Sequence, residues 1–269
     1  MQGITQGLDI NEYHSGPGLS ASGVKLLLDC PARYYYEYFV NKAKKETAAL
    51  NIGSAVHCLA LEPELFNKQF IVLPDVDRRT KEGRKIYEDF AYSSIGKAVL
   101  SYKDFLLIED MVKAVSANKI FQKIMGASKE KHIEDSIYFM YQDVLMKSRP
   151  DFYNDIMIVD LKTCEDASES GFRKQIFNYG YHIQAAIALD ALNANSERKY
   201  EHFVLMAVEK TAPHLMACYS IDEESIQLGR ELYRKAALLY NQCFEANHWP
   251  SYGDEIKSIR LPEWSFKDE

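Results

Sequence analysis

Asp151, Asp160 and Lys162 are the residues of this sequence whose types and spacing could do metal-assisted chemistry; Asp151 closes Arg149-Pro150-Asp151, and Asp160 and Lys162 flank Leu161. The run Ile156 to Lys162 is apolar almost to its end and reads as a central strand buried on both faces. Side chains alternate along a strand, so Asp160 and Lys162 project from one face, about 6–7 Å apart at a rise near 3.3 Å per residue. If Asp151 ends the preceding strand or its turn, antiparallel return of the chain sets its carboxylate beside Asp160. Two such hard oxygens suit Mg²⁺ or Mn²⁺, and the backbone carbonyl of Leu161 is a candidate third oxygen ligand. A cation at Lys162 could hold an attacking water in line, which is the chemistry phosphodiester hydrolysis needs. The plainer reading is an exposed acidic strand end with a lysine neighbour. The Pro-Asp step, the hairpin before it and the apolar strand beneath it favour a site.

Around this trio stand residues with two readings each. His57, on an apolar helix, is a satisfied core histidine or a metal ligand. Glu134, just before a strand, is an outer carboxylate of the same metal or a solvated strand start. Tyr181 and Gln184 are spaced i,i+3 and share a helix face, which could offer a hydroxyl and an amide to a phosphate or a water. The basic run Arg78, Arg79, Lys81, Arg84 and Lys85 is a solvated face or a set of donors to a DNA backbone, and Arg149 is a further candidate for DNA contact.

The elements that must position these residues follow from periodicity. Ser20 is a plausible N-cap for a helix carrying Val24, Leu27 and Leu28. Cys30-Pro31 marks a break before an aromatic helix through Tyr34, Tyr35, Tyr38 and Phe39. A short helix after Gly53-Ser54 carries His57 and stops near Glu62-Pro63, and one helical period runs from Tyr102 to Met125. From Ile133 the period becomes two: Ile137, Phe139 and Tyr141 share a face, Gln142-Asp143 turns, and Val144 to Arg149 returns. A single helix from about Ser170 to Leu192 is expected, then strands Phe203 to Val208 and Leu215 to Ile221. A last helix opens at Asp222 and stops by Trp249-Pro250. The order of helix, three strands, helix and two strands implies an α/β fold.

The sequence has 269 residues, 47% hydrophobic and 26% charged, enough to bury a core without staples. The absence of a long apolar run and of a signal-like start leads us to expect a cytoplasmic protein with no membrane association. Five widely spread cysteines without a Cys-x-x-Cys pair read as buried reduced thiols rather than disulfides or a zinc knuckle. A net charge of −7 argues against a surface that coats nucleic acid indiscriminately, but leaves room for a local basic channel.

Ordered motifs along the chain then point to a family. They are Tyr13-His14-Ser15-Gly16-Pro17-Gly18, Gly53-Ser54-Ala55-Val56-His57-Cys58 leading to Leu61-Glu62-Pro63, Arg78-Arg79-Thr80, Glu134 before Ser136-Ile137-Tyr138, Arg149-Pro150-Asp151, Asp160-Leu161-Lys162-Thr163, Tyr181-His182-Ile183-Gln184 and Leu261-Pro262 with Trp264. The chain resembles the nuclease domain of RecE (exonuclease VIII) and related phage and prophage PD-(D/E)xK exonucleases. The resemblance implies a restriction-endonuclease-like, RecB-like core: a central mixed sheet flanked by helices, with an N-terminal helical region. It implies one domain over residues 1–269, with a helical flank (1–130) carrying His57, a catalytic sheet core (131–222) and a C-terminal helix and tail (223–269). It implies that His57, Asp151 and Asp160 hold the metal, that Lys162 assists the nucleophile and that Tyr181 and Gln184 support the site. It further implies 5′→3′ digestion of linear double-stranded DNA, a homotetrameric ring, and a single-strand annealing partner of RecT type. Some related nucleases carry an iron–sulfur cluster, but the C-terminal cysteine cluster that would hold it is missing here, so none is expected. Two alternatives stay open: an endonuclease or single-strand nuclease on the same core, and a catalytically silent DNA-binding module.

Overall fold

The computed structural model describes residues 2–41, 48–127, 131–253 and 255–266. After a short strand β1 (Gly3–Thr5), helices begin where side chains can accept the first free backbone N–H groups. Asp9 opens α1 (Ile10–Ser15) and Ser20 opens α2 (Ala21–Asp29). Pro31 sits in the first turn of α3 (Pro31–Tyr35), where its missing N–H costs nothing, and the chain runs on as one π-helical turn over Tyr36–Val40. Then come α4 (Ala48–Leu61), α5 (Pro63–Gln69), β2 (Phe70–Val72), α6 (Lys81–Ser93), β3 (Ala98–Leu100), α7 (Tyr102–Ala117) and α8 (Lys119–Ala127). The helical periodicity expected from Tyr102 to Met125 is therefore carried by two helices. Asn118 leaves helical geometry at ψ 122°, and its side chain accepts from Ile120 N and Phe121 N to start α8. The parallel pair β2–β3 was not expected, since three residues are too few to display a period.

The second half holds β4 (His132–Ile133), β5 (Ser136–Tyr141), β6 (Val144–Ser148), β7 (Phe152–Tyr153), β8 (Met157–Cys164), α9 (Glu169–Tyr179), α10 (Tyr181–Asn195), β9 (His202–Glu209), β10 (Met216–Ser220) and α11 (Glu223–Glu245). A five-stranded sheet has the order β10-β9-β8-β7-β4, with β8 and β9 parallel and the other pairs antiparallel. This is the mixed sheet expected. The predicted hairpin forms, but β5 and β6 join β1 in a separate sheet. Pro150, which has no N–H to give a ladder, lies where the chain leaves that sheet for β7. The helix expected over Ser170 to Leu192 is also two helices, because Gly180 at φ +70° ends α9 and starts α10; the left-handed conformation there suits glycine.

Two hydrophobic cores flank the central sheet. Ile158 and Cys164 of β8 join one core with α2, the β5–β6 hairpin, α10 and α11, while Val159 and Leu161 join the other with α4, α5 and α7. The alternation of β8 thus feeds both. In the first core α10 is buried nearly all round, and its alanines admit α11 so closely that a Cβ added at Gly229 would lie 2.3 Å from the His182 carbonyl oxygen. Gly229→Ala would gain up to about 1 kcal/mol of helix propensity. Forcing the two backbones apart should cost more, about 1–3 kcal/mol. The expected result is a lower melting temperature by calorimetry; a higher one would mean that α10 and α11 separate easily.

Candidate active site

Asp151 lies just before β7, whose antiparallel register sets Phe152 against Val159, so Asp151 faces the stretch of β8 one step further on. Its Oδ2 accepts from the Leu161 N–H at 2.7 Å. A strand residue's N–H and C=O point to the same edge, so the Leu161 carbonyl also faces this side, past the end of the β7–β8 ladder. On the α10 face of β8, Asp160 is fully buried and the Lys162 ammonium sits 2.6 Å from its Oδ2. Gln184 Nε2 donates to Asp160 Oδ1 at 2.5 Å, and the ring of Tyr181 lies 4.7 Å from the Lys162 nitrogen. The shared helix face of Tyr181 and Gln184 thus closes over the strand pair. The ammonium is off the direction of a hydrogen bond, so Asp160 Oδ2 is ion-paired yet lacks an aligned donor.

The opposite wall comes from α4. His57 Nδ1 is 3.3 Å from Asp151 Oδ2, and His57, Glu134 and Asp151 each bring a ligand atom within 4.8 Å of the others. Glu134 reaches this place from a left-handed backbone at φ 54°, uncommon outside glycine and asparagine, with its N–H donated to the Asp151 carbonyl at 3.2 Å. Arg149 holds the Glu134 carboxylate, donating from Nε at 2.7 Å. It also donates from Nη1 to the Leu8 carbonyl and to Ser136 Oγ, and stands over the Tyr13 ring. Buried Lys147 in turn donates to the carbonyls of Tyr13 and Gly16 at 2.7 Å. The N-terminal segment Tyr13–Gly18 is therefore wrapped on the hairpin that lies between the candidate acids Glu134 and Asp151.

The charges in this cluster do not balance. Burial opposes ionisation of Asp151, but His57, Lys162 and the Leu161 N–H hold its carboxyl below the usual range. Burial and the neighbouring Asp151 charge push Asp160 up against the pull of Lys162. Burial, then Asp151, pushes Glu134 up to about 7 in spite of Arg149. Burial alone would lower His57; the adjacent Asp151 outweighs it and raises it. Two carboxylates crowded beside an imidazole nitrogen, with the Asp160–Lys162 ion pair next to them, form a donor set that fits a divalent cation.

This imbalance has a measurable signature. An acid whose folded pKa is raised binds more protons folded than unfolded, so its contribution to stability is present below the unfolded pKa and is lost as pH rises through the folded one. For Glu134 that window runs from 4.5 to about 7. Without divalent metal, the unfolding midpoint of the wild type should decline across it more steeply than that of Glu134→Gln. Equal slopes would show that Glu134 feels no such crowding.

Sequence reasoning named the pieces, and the geometry arranges them differently in two respects. Asp160, expected to face the metal together with His57 and Asp151, also pairs with Lys162 and Gln184, and Glu134 joins His57 and Asp151 in the tightest cluster. Arg149, expected as a DNA contact, spends its guanidinium on Glu134, Leu8 and Ser136. Its role beside Glu134 was missed, although the hairpin register carried the signal: with Ile137 opposite Ser148, the next pair brings Ser136 to Arg149. Arg78, Arg79 and Lys81 are exposed at the start of α6; Arg78 stacks over Tyr87, and among the described residues no hydrogen bond or ion pair ties them to the His57–Asp151 cluster.

A mixed sheet with one carboxylate on its central strand and another just before the adjoining strand is the arrangement of the PDDEXK-like fold class. Within that class the chain belongs to the family described as a PDDEXK-like domain of unknown function (DUF3799), whose sequence profile matches residues 20–262. No curated protein matches the sequence. Among solved structures, a proposed exonuclease from Eubacterium rectale is similar over 98% of both chains, at 15% identity and a TM-score of 0.64, a likeness of fold. A phage-related exonuclease from Haemophilus somnus 129PT shares 12% identity over 87% of this chain and 99% of its own, with a TM-score of 0.33. Among the described residues no helix is long and apolar enough to cross a membrane.

Proposed function

We propose that this chain is a Mg²⁺-dependent exonuclease, with Mn²⁺ as a substitute ion, that digests linear double-stranded DNA from the 5′ end and leaves 3′ single strands for annealing. The observation that carries the reading is the convergence of His57, Glu134 and Asp151 beside the buried Asp160–Lys162 pair. When bound, a divalent ion would neutralise charge gathering on the phosphate and make the attacking water more acidic. His57, Asp151, Glu134 and the Leu161 carbonyl are the groups that would hold it, with Asp160 completing the set. Lys162, whose charge the neighbouring Asp160 favours, orients the attacking water and stabilises the phosphate. Gln184 fixes the Asp160 carboxylate, the Tyr181 ring screens the ammonium from solvent, and Arg149 keeps Glu134 in place. The polarity, a cytoplasmic homotetrameric ring and an annealing partner of RecT type are extended from the family resemblance, and the Eubacterium rectale neighbour is itself a proposed exonuclease.

The test is digestion of a linear duplex labelled at one 5′ or one 3′ end, with Mg²⁺ or EDTA, beside a closed circle. Early release of 5′ label alone, with the circle spared, supports the proposal. Cutting of the circle would make the protein an endonuclease, and silence in every lane would leave a binding module.

A further inference from the structure

Beyond the groups that hold the metal and the water, a row of aromatic rings and cations leads from the catalytic strand to open surface. Lys162 lies under the ring of Tyr181; Tyr181 stacks on Tyr179 with centroids 5.7 Å apart and planes 26° apart; and the Lys25 nitrogen stands 6.0 Å from the centre of the Tyr179 ring. The order is cation, ring, ring, cation. Tyr179, the last residue of α9, is 58% exposed, an open place for a phenol ring beside a buried centre. Its position is set by construction: Gly180 turns the chain at φ +70°, and Lys25 donates to the Asn178 carbonyl at 2.9 Å, tying α2 to this corner.

The exposed part of the Tyr179 ring continues a stack that ends at Lys162, and a nucleobase is a flat π-system that suits it, because every base can stack on an aromatic side chain whatever its sequence. The ammonium of Lys25 beside the ring supplies a charge of the sign a phosphodiester requires. We propose that Tyr179, with Lys25, forms a stacking site for an unpaired nucleobase next to the scissile phosphate, so that the enzyme engages a frayed strand end rather than an intact base pair. The inference rests on the nuclease reading above. A second copy of the chain could also cover an exposed ring, and the test separates the two.

The experiment uses the full-length protein in Ca²⁺ and three fluorescein-labelled DNAs: a blunt duplex, the same duplex with two mismatched terminal pairs, and the mismatched duplex with abasic sites at those positions on one strand. Binding is followed by anisotropy, and cleavage of the same ends is followed in Mg²⁺. The wild type should prefer the frayed end and lose about tenfold in affinity on the abasic one, the scale of one stacked base. Tyr179→Ala should bind frayed and abasic ends alike, raising KM while leaving kcat within about twofold. Tyr179→Trp should restore the preference, and Phe177→Ala, at the same helix end but outside the row, should keep it. A merely structural role for Tyr179 would not depend on the presence of a base. The inference is overturned if Tyr179→Ala retains the wild-type difference between frayed and abasic ends, or if it changes only the sedimentation coefficient, which would make the ring a contact between copies. A wild type that neither binds nor cuts any of these DNAs would sink the nuclease reading itself.

Discussion

Asp160→Asn is expected to lower DNA cleavage by about 10³-fold or more while the protein still folds. The asparagine fills the same space and can still accept from Gln184, so the packing between β8 and α10 survives. What is lost is the negative charge that balances Lys162 and would help hold a cation. The measurement is single-turnover cleavage of an end-labelled duplex together with calorimetric titration of Mg²⁺, in which the variant should bind the ion far more weakly than the wild type. Cleavage within tenfold of wild type would remove Asp160 from the centre. The ion should also raise the melting temperature of the wild type, by the equivalent of about 2.7 kcal/mol at a hundredfold excess over its Kd, and should do little for the variant.

Lys162→Met should separate chemistry from metal binding. The methionine keeps an unbranched apolar stem beneath the Tyr181 ring but removes the charge that lies 2.6 Å from Asp160. Cleavage should fall by about 10²- to 10⁴-fold, the range for removing a group that manages a proton or an attacking water. Mg²⁺ binding should persist or tighten, because a cationic competitor for the carboxylates is gone. Without metal the variant should be less stable by about 3–5 kcal/mol, since Asp160 is left buried without its counter-charge, and added Mg²⁺ should return much of that loss. Loss of Mg²⁺ affinity equal to the loss in rate would mean that the lysine organises ligands and has no separate part in the reaction.

The centre was legible in the sequence where its logic is local. The alternation of β8 fixed the common face of Asp160 and Lys162, and the spacing of Tyr181 and Gln184 fixed theirs. His57 could be read two ways from its helix alone, because its partner Asp151 is distant in sequence and only the packing of α4 beside β8 joins them. The pairing of Glu134 with Arg149 depends on a hairpin register, and the wrapping of residues 13–18 over Lys147 depends on a contact more than a hundred residues long in sequence. In the fold, α2, α4, α11, the runs over α7–α8 and α9–α10, and β5, β6, β8, β9 and β10 announced themselves by period, whereas α6 begins in a stretch read only as basic. β1, β2, β3, β4 and β7 have two or three residues each, too short to show one. Each of the two helical runs read from the sequence is broken by a single residue, Asn118 or Gly180, whose preference for leaving a helix was visible but outweighed by the apolar pattern running through it.

Because β8 sends Val159 and Leu161 into one core and Ile158 and Cys164 into the other, the candidate ligands are drawn from both halves of the molecule: His57 from the α4 side, Asp160 from the α10 side. An ion bound there would behave as a rivet through two plates. Amide exchange in α4 and α7 would then slow in step with exchange in α10 when metal is added, and the two halves would open as one cooperative unit instead of separately.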